Sequence, residues 1–362
     1  MITAIIVAIV ALSVLILAHE LGHFLVAKKA GVWVEEFGLF LPPRLFGIKI
    51  GETLYSVNAI PLGGFVRLHG ESGEDKLTKP GRAYVRKSKK AKAAVAAAGI
   101  ITNFILAIFA FGVFYSFMGF PKETGRVEVV EVATDSPAQM AGLVPGDVIV
   151  KIGDQEVKTN ADFIGLVNEN KGKTVKIELE GKTVTVKPRE NFPQDQGPVG
   201  VTITSQEIYF PPIWQRPFLG VTYGFKEAIF WGGKIFLGLG TIATDVSRGQ
   251  APKGALGPFG IILVLLEIFK QGVLPAVNFI GILSVNLAII NILPIPPFDG
   301  SRIAFIIVEA VTKKKMTQKM ETRVYAAGFI LVIGLFLFMT YREVLLLISE
   351  KSIPAFIEAI LQ

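Results

Sequence analysis

The feature that most constrains this chain is an apolar run at its start that ends in three ionisable side chains. Residues 2–18 are apolar apart from two hydroxyl residues, and they lead directly into His19, Glu20 and His23. A helix of this length and composition can span a membrane. Ionisable groups are costly at that depth and are usually functional. We therefore expect a retained membrane-spanning helix, not a removed signal peptide, with a functional site at its end.

The spacing of these three side chains indicates a metal site. His19 and His23 are four residues apart, so on a helix both imidazoles lie on one face and can hold one ion. Two neutral imidazoles beside an open coordination position suit catalytic zinc, and Glu20 could take a proton from a bound water. The alternative is a pair of histidines packed against a neighbouring helix. The chain has only three histidines, and two of them lie in this motif.

The composition is that of an integral membrane protein. Hydrophobic residues make up 51% of the 362, and the mean hydropathy is +0.53, both high for a soluble chain. The absence of cysteine excludes disulfides, cysteine nucleophiles and cysteine-bound zinc. The net charge of +7 is concentrated in the loop after the first span, which the positive-inside rule places in the cytoplasm. The charge therefore reflects topology, and we expect no nucleic-acid partner.

Apolar and polar segments alternate along the chain and predict a polytopic α-helical membrane protein. The four predicted transmembrane helices are 1–25, 93–118, 273–300 and 325–348. The segments between them are a cytoplasmic loop at 26–92, a soluble strand-rich domain at 124–205, interfacial or amphipathic helices at 206–272 and a second cytoplasmic loop at 301–324. Because the second span runs outward, the soluble domain is expected outside the cytoplasm.

The first loop contains a predicted β-hairpin at 48–69. Apolar and polar residues are interspersed through this segment, and Gly51-Glu52 suits a tight turn. One interpretation is a soluble hairpin. The other, which we favour, is a membrane-associated hairpin beside the metal motif, since non-helical backbone is tolerated at membrane depth only when protein buries it or it lines a cavity.

The metal motif lacks one ligand, because a catalytic zinc ion usually has three from the protein. The first and third spans both run inward, so the segment 294–300 lies at the depth of the histidines. Its three prolines hold Asp299 rigidly, and a carboxylate is a common zinc ligand, so Asp299 is the predicted third ligand. Alternatives are Glu309, His69, which we interpret as an ordinary surface histidine, and an Asp299 that only caps a helix beginning at Ser301.

Together these motifs resemble the site-2 protease family of intramembrane zinc metalloproteases, and most closely its bacterial regulator-of-sigma-E protease (RseP) branch. The resemblance rests on the His-Glu-x-x-His motif, on the β-loop after the first span and on Asn291-Ile-Leu-Pro-Ile-Pro-Pro-Phe-Asp299-Gly300. It also rests on Ala141-Gly-Leu-Val-Pro-Gly-Asp-Val-Ile, which is similar to the bacterial PDZ signature. The soluble domain is therefore expected to be a single inserted PDZ domain.

The resemblance implies a zinc-dependent endopeptidase that cleaves single-span membrane proteins within or near the bilayer, in regulated intramembrane proteolysis. Anti-sigma factors and remnant signal peptides are the substrates it suggests. It implies a multi-pass protein of the bacterial inner (cytoplasmic) membrane, with an extracytoplasmic PDZ domain and the active site near the cytoplasmic side. The alternatives are a non-catalytic PDZ-bearing scaffold and a metal or ion transporter, although the inverted repeats of transporters are not visible.

The same resemblance assigns roles to individual residues. It implies Zn2+ ligands at His19, His23 and Asp299, and a general base at Glu20. It implies substrate-binding asparagines at Asn286 and Asn291. Asn103 is a further candidate for the substrate site, although a polar residue four positions after Gly99 is explained equally well by helix packing.

Overall fold

The computed structural model describes residues 2–71, 77–193, 196–248, 255–313 and 318–361. The chain divides into two compact units. Unit 1 comprises Met1–Met118 and Ile213–Gln362, and unit 2 comprises Gly119–Pro212. Parts of both predicted cytoplasmic loops, of the predicted soluble domain and of the 206–272 region lie outside the described residues.

Helices dominate unit 1 and strands dominate unit 2. The helices are α1 (Ile2–Lys29), α2 (Lys89–Met118), α3 (Pro137–Met140), α4 (Asn160–Glu169), α5 (Arg216–Ser247), α6 (Pro258–Gln271), α7 (Val273–Ile292), α8 (Asp299–Thr312), α9 (Gln318–Glu350) and α10 (Ile353–Leu361). The strands are β1 (Val34–Ile50), β2 (Thr53–Leu68), β3 (Phe120–Val132), β4 (Val148–Ile152), β5 (Gln155–Glu156), β6 (Val175–Leu179), β7 (Lys182–Val186) and β8 (Val201–Tyr209).

Four helices among the described residues are long and apolar enough to cross a membrane. They are Ala8–Lys29, Lys89–Met118, Val273–Ile292 and Met320–Glu350. The expectation of about four spanning helices is therefore confirmed. The third helix is shorter than the predicted 273–300, because three prolines follow α7 and cannot continue it.

The centre of unit 1 is α2, which packs against α1, α5 and α7. Gly22 of α1 lies so close to α2 that a Cβ there would be 2.6 Å from the backbone oxygen of Ala98, so these two helices approach at backbone contact. On another side of α2, Phe111 packs with Ala228 of α5 and Val285 of α7 in a buried cluster. The 206–272 region thus supplies α5 to this core. Its interfacial placement stays a prediction.

The hairpin of unit 1 is longer than predicted: it begins at Val34, not at residue 48. Residues 36–39 of β1 pair on one side with residues 54–57 of β2 and on the other with residues 64–67. The early half was missed because its polar residues are satisfied inside the sheet, as when buried Glu36 accepts a 2.7 Å hydrogen bond from Ser56. The predicted turn at Gly51 joins the two strands.

Unit 2 is a sheet of six strands with two short helices. The strand order is β7-β6-β4-β3-β8, with β5 paired to β4. Its core is built from alternate residues of the strands, including Val127, Ile149 and Ile177, together with Phe163 of α4. The helix α4 begins with a capping box between Thr159 and Asp162. This unit covers the region predicted to be soluble and strand-rich.

A buried carboxylate joins α9 to α6. Glu343 of α9 is 1% exposed, and its oxygens accept the backbone N–H groups of Gly257 at 2.5 Å and Gly260 at 2.9 Å. These amides lie at the start of α6 and have no acceptor within that helix. A side chain of α9 therefore accepts two N–H groups that have no acceptor within α6.

We predict that Glu343→Leu lowers stability by roughly 2–6 kcal/mol, because it leaves two buried amides without an acceptor, each at a cost of about 1–3 kcal/mol. Glu343→Gln keeps one acceptor oxygen and should cost less. The midpoint of thermal unfolding of the full chain in detergent micelles measures both effects. Equal midpoints for the leucine variant and the parent would show that this contact does not stabilise the fold.

Candidate metal centre

Three side chains predicted to bind zinc meet at one point in unit 1. The Nε2 atoms of His19 and His23 are 3.1 Å apart, and each is 3.1 Å from Oδ2 of Asp299. The two histidines lie one turn apart on α1, and Asp299 is the first residue of α8. Asp299, at least 276 positions from either histidine in the sequence, thus completes a triangle of donor atoms with them.

This donor set fits a zinc ion. Tetrahedral Zn–N and Zn–O bonds of ~2.0–2.1 Å place neighbouring donor atoms about 3.3 Å apart, close to the 3.1 Å in the triangle. The Oδ2 atom of Asp299 is buried, and no hydrogen-bond partner satisfies it within the described structure. A buried carboxylate oxygen without a partner is costly, and a cation between the three donors would remove that cost.

The ring of His23 is oriented by α2. Its Nδ1 atom lies 2.8 Å from the backbone oxygen of Val95. A carbonyl oxygen only accepts hydrogen bonds, so Nδ1 carries the proton. The Nε2 atom of the neutral ring is then free to act as a metal ligand.

Both rings pack against Gly99 of α2. A Cβ at this position would lie 2.5 Å from Cε1 of His19 and 2.5 Å from Nε2 of His23, closer than a Cβ atom approaches any non-bonded heavy atom unless one of them moves. A glycine is therefore needed where α2 passes the histidines.

The loop between α7 and α8 presents Asp299. The residue before it, Phe298, is the N-cap of α8, and Asp299 is already helical. Ser301 donates its hydroxyl to the backbone oxygen of Phe298 at 2.6 Å. The alternative in which Asp299 caps a helix beginning at Ser301 is therefore wrong, because the helix begins two residues earlier.

Helix α9 packs against the same loop. At Gly328 its backbone packs directly against Pro296. One turn earlier on α9, the hydroxyl of Tyr325 lies 2.9 Å from Oγ of Ser301. The position of Asp299 therefore depends on α9 as well as on its own helix.

The other candidate ligands are occupied elsewhere. Glu309 lies 4.0 Å from Lys89 in an ion pair. His69 is 2% exposed, contacts Glu35 at 2.6 Å and accepts the backbone N–H of Lys79 at 3.2 Å. The interpretation of His69 as a surface histidine is therefore wrong. It is a buried residue at the end of β2, and its hydrogen bonds connect this end to Glu35 of β1 and to Lys79 in the segment that follows.

A cavity of about 270 Å³ adjoins the donor triangle. Glu20 and Asn291 line it together with the three donors, and residues 65, 66 and 68 of β2 form another wall. Asn286 is half-buried on α7 and is not among the described residues that line this cavity. Asn103 is fully buried and is also absent from the lining. The structure thus separates three asparagines that the sequence analysis grouped together.

A second cavity, of about 660 Å³, lies beside the first and shares four lining residues with it. Two of these form an ion pair, in which Nη1 of Arg302 lies 2.5 Å from Oε1 of Glu71. Burial would lower the pKa of the Arg302 guanidinium, but the Glu71 carboxylate raises it above its ordinary value. This pair was not predicted from the sequence. Its only local signal is that Arg302 lies one helical turn after Asp299.

Comparison with known proteins identifies the family of the chain that carries these three donors. The sequence profile of Peptidase family M50 matches residues 7–335. The chain belongs to peptidase family M50. The expected resemblance to site-2 proteases is thereby confirmed.

Individual members of the family cover nearly the whole chain. A protein of Clostridium perfringens named as a putative zinc metalloprotease is 34% identical over 344 residues, which span 94% of this chain and 98% of that protein. The zinc metalloprotease RasP of Geobacillus kaustophilus is 26% identical over 418 residues, which span 93% of this chain and 96% of that protein. This M50 protein is accordingly a multi-pass bacterial membrane protein and a zinc metalloendopeptidase of the site-2 protease type, with Zn2+ as its cofactor.

We predict that Gly99→Ala lowers zinc affinity at least about tenfold, the lower end of the effects seen when ligand orientation is lost. The added methyl group would push both imidazoles out of the donor triangle. Competition with a chromophoric chelator measures the affinity in the purified full chain.

The matched control is Gly334→Ala in α9, where a Cβ meets nothing within 4 Å. This variant should bind zinc like the parent. Equal zinc affinity in the Gly99 variant would contradict the steric argument.

Proposed function

We propose that this M50 protein cleaves single-span membrane proteins within or near the bilayer, using His19, His23 and Asp299 as zinc ligands and Glu20 as general base. The observation that carries this proposal is the meeting of the three donors and Glu20 at one cavity. Two of the donors lie on a helix apolar enough to span a membrane. A site at that depth acts on peptide bonds that ordinary proteases cannot reach.

The proposed hydrolysis divides the work between the metal and Glu20. Bound zinc supplies a Lewis acid that polarises the scissile carbonyl and makes water a better nucleophile. Glu20 takes a proton from the attacking water while the water oxygen bonds to the carbonyl carbon. When the C–N bond breaks, Glu20 returns that proton to the leaving amine. We propose that Asn291, which lines the cavity, donates a hydrogen bond to substrate.

The hairpin supplies a way to hold an unwound substrate. A transmembrane helix hides its carbonyl groups in its own hydrogen bonds, so it must open before water can attack. Residues 64–67 of β2 pair with β1 on one side, and within the described residues no strand pairs with their other side. Phe65 and Val66 of this edge line the metal cavity. We propose that the opened substrate pairs with this edge as an added strand.

The tip of the hairpin supports its proposed membrane association. Leu45, Phe46, Ile48 and Ile50 are all more than half exposed, from 52% for Ile48 to 72% for Leu45. An apolar surface of this kind is stable in lipid and unfavourable in water. The proposed location of the hairpin tip is therefore the bilayer beside the metal centre.

For unit 2 we propose a PDZ domain outside the cytoplasm. The proposal is supported by the sequence resemblance around Gly142 and by a strand-rich unit with its own core. In this unit β8 is an edge strand and α4 contacts it, an arrangement suited to binding a peptide as an added strand. Anti-sigma factors and remnant signal peptides remain the proposed substrates, and the inner membrane remains the proposed location, with the metal centre near its cytoplasmic side.

The test of the mechanism is Glu20→Gln in purified full chain with a tagged single-span substrate. We predict at least about a hundredfold loss of cleavage, in line with removal of a general base, and unchanged zinc content, because Glu20 is not a proposed ligand. A zinc chelator should abolish cleavage by the parent. Glu309→Gln is the matched control and should keep activity. Substantial cleavage by the Glu20 variant would refute its assigned role.

The test of the ligand set is Asp299→Ala. We predict that this variant loses most of its bound zinc after dialysis, because two imidazoles alone leave the ion without its third protein donor. Metal analysis by atomic absorption measures the content directly and needs no substrate. A full complement of zinc in the variant would remove Asp299 from the ligand set.

A further inference from the structure

Asn103 occupies an unusual position for a polar residue. It is 0% exposed on an apolar helix, and its Nδ2 atom lies 3.2 Å from Nδ1 of His19. Its Oδ1 atom is buried, and no described residue satisfies it. A buried amide oxygen without a partner costs about 1–3 kcal/mol, so packing alone does not explain why this residue is an asparagine.

The spacing along α2 matches the spacing along α1. Val95, Gly99 and Asn103 are four residues apart and therefore lie on one face of α2. They meet His23, both rings, and His19 respectively. One face of α2 thus provides a hydrogen-bond partner for each histidine. Gly99, which lies between the two partners, leaves space for the rings.

The tautomer of His19 determines whether its partner must accept or donate a hydrogen bond. Its Nε2 atom faces Nε2 of His23 and Oδ2 of Asp299, each at 3.1 Å, so Nε2 is the atom available to zinc. A neutral ring then carries its proton on Nδ1, and that proton needs an acceptor. The two ends of a carboxamide exchange places by a half-turn of the side-chain amide. With its oxygen toward the ring, Asn103 accepts this proton.

We propose that Asn103 is a positioning residue for His19: its amide oxygen accepts the Nδ1–H group and holds Nε2 toward the metal. The inference rests on the proposed role of His19 as a zinc ligand. It replaces the predicted substrate-binding role of Asn103, because a fully buried residue outside the cavity lining does not touch substrate.

The backbone of Asn103 is hydrogen-bonded to another helix. Ser284 of α7 is fully buried and donates its hydroxyl to the backbone oxygen of Asn103 at 3.0 Å. The amide that faces His19 is thereby anchored to a third helix. This rigidity is what a residue needs if it is to set the orientation of a ligand.

The experiment compares Asn103→Leu with Asn103→Asp in the purified full chain. Leucine has the same branching at Cγ and no hydrogen-bonding atom, whereas aspartate accepts a hydrogen bond and, when ionised, cannot donate one. We expect leucine to weaken zinc binding by about 10–100-fold, the usual effect of losing such a partner. Aspartate should remain within about threefold of the parent, since a carboxylate is a common partner of a metal-bound histidine. Chelator competition measures the affinity.

A spectroscopic readout separates positioning from simple loss of stability. Co2+ in place of zinc gives a visible absorption spectrum that depends on ligand geometry. We expect the aspartate variant to keep the parent spectrum and the leucine variant to lose or shift it. The control is Ile105→Val, on the same helix two residues after Asn103, where the side chain is 58% exposed, and it should change neither affinity nor spectrum.

The outcomes separate this proposal from the one it depends on. Parent-like zinc binding by Asn103→Leu would overturn the positioning role. An aspartate variant as weak as the leucine variant would also overturn it, because the amide would then be needed as a donor. Parent-like zinc binding by a His19→Ala variant would instead refute the ligand set, and it would do so without any measurement of proteolysis.

Discussion

The backbone contact between α1 and α2 is the interaction on which the metal centre depends. Gly22 and Gly99 bring the helices together, and this closeness places the Val95 carbonyl and the Asn103 amide against the two imidazoles. In water, solvent molecules can form a hydrogen bond with the second ring nitrogen of an imidazole. In an apolar layer each unused N–H group must be satisfied by protein. The same contact therefore both packs the helices and prepares the donors for a metal ion.

The sequence predicted the parts of the site that depend on local spacing. Two histidines one helical turn apart, and an aspartate held after three prolines, are recognisable without coordinates, and topology alone placed Asp299 at their depth. The start of the hairpin at Val34 and the buried state of His69 were mispredicted, because both depend on partners distant in sequence. A histidine bonded to Glu35 cannot be told from an exposed one until the chain that surrounds it is known.

The asparagines illustrate the same limit within the site. Asn103, Asn286 and Asn291 have equal standing as polar residues in apolar helices, yet one faces a histidine, one is half-buried on α7 and one lines the cavity. The difference arises from which helix face each occupies relative to its neighbours. Membership of peptidase family M50 gives the chemistry of the centre, and the packing of α1, α2 and α7 determines what each asparagine contacts.

The bracing of the α7–α8 loop by α9 has an energetic consequence. The loop that carries Asp299 is pressed against Gly328, and Ser301 is bonded to Tyr325, so a displacement of α9 would shift one donor relative to the other two. Binding at the metal centre and movement of α9 are then reciprocal: whatever loosens this helix weakens the hold on the ion by the same free energy with which the ion resists the loosening. Any ligand that displaced α9 would therefore bind more weakly when the metal ion is in place.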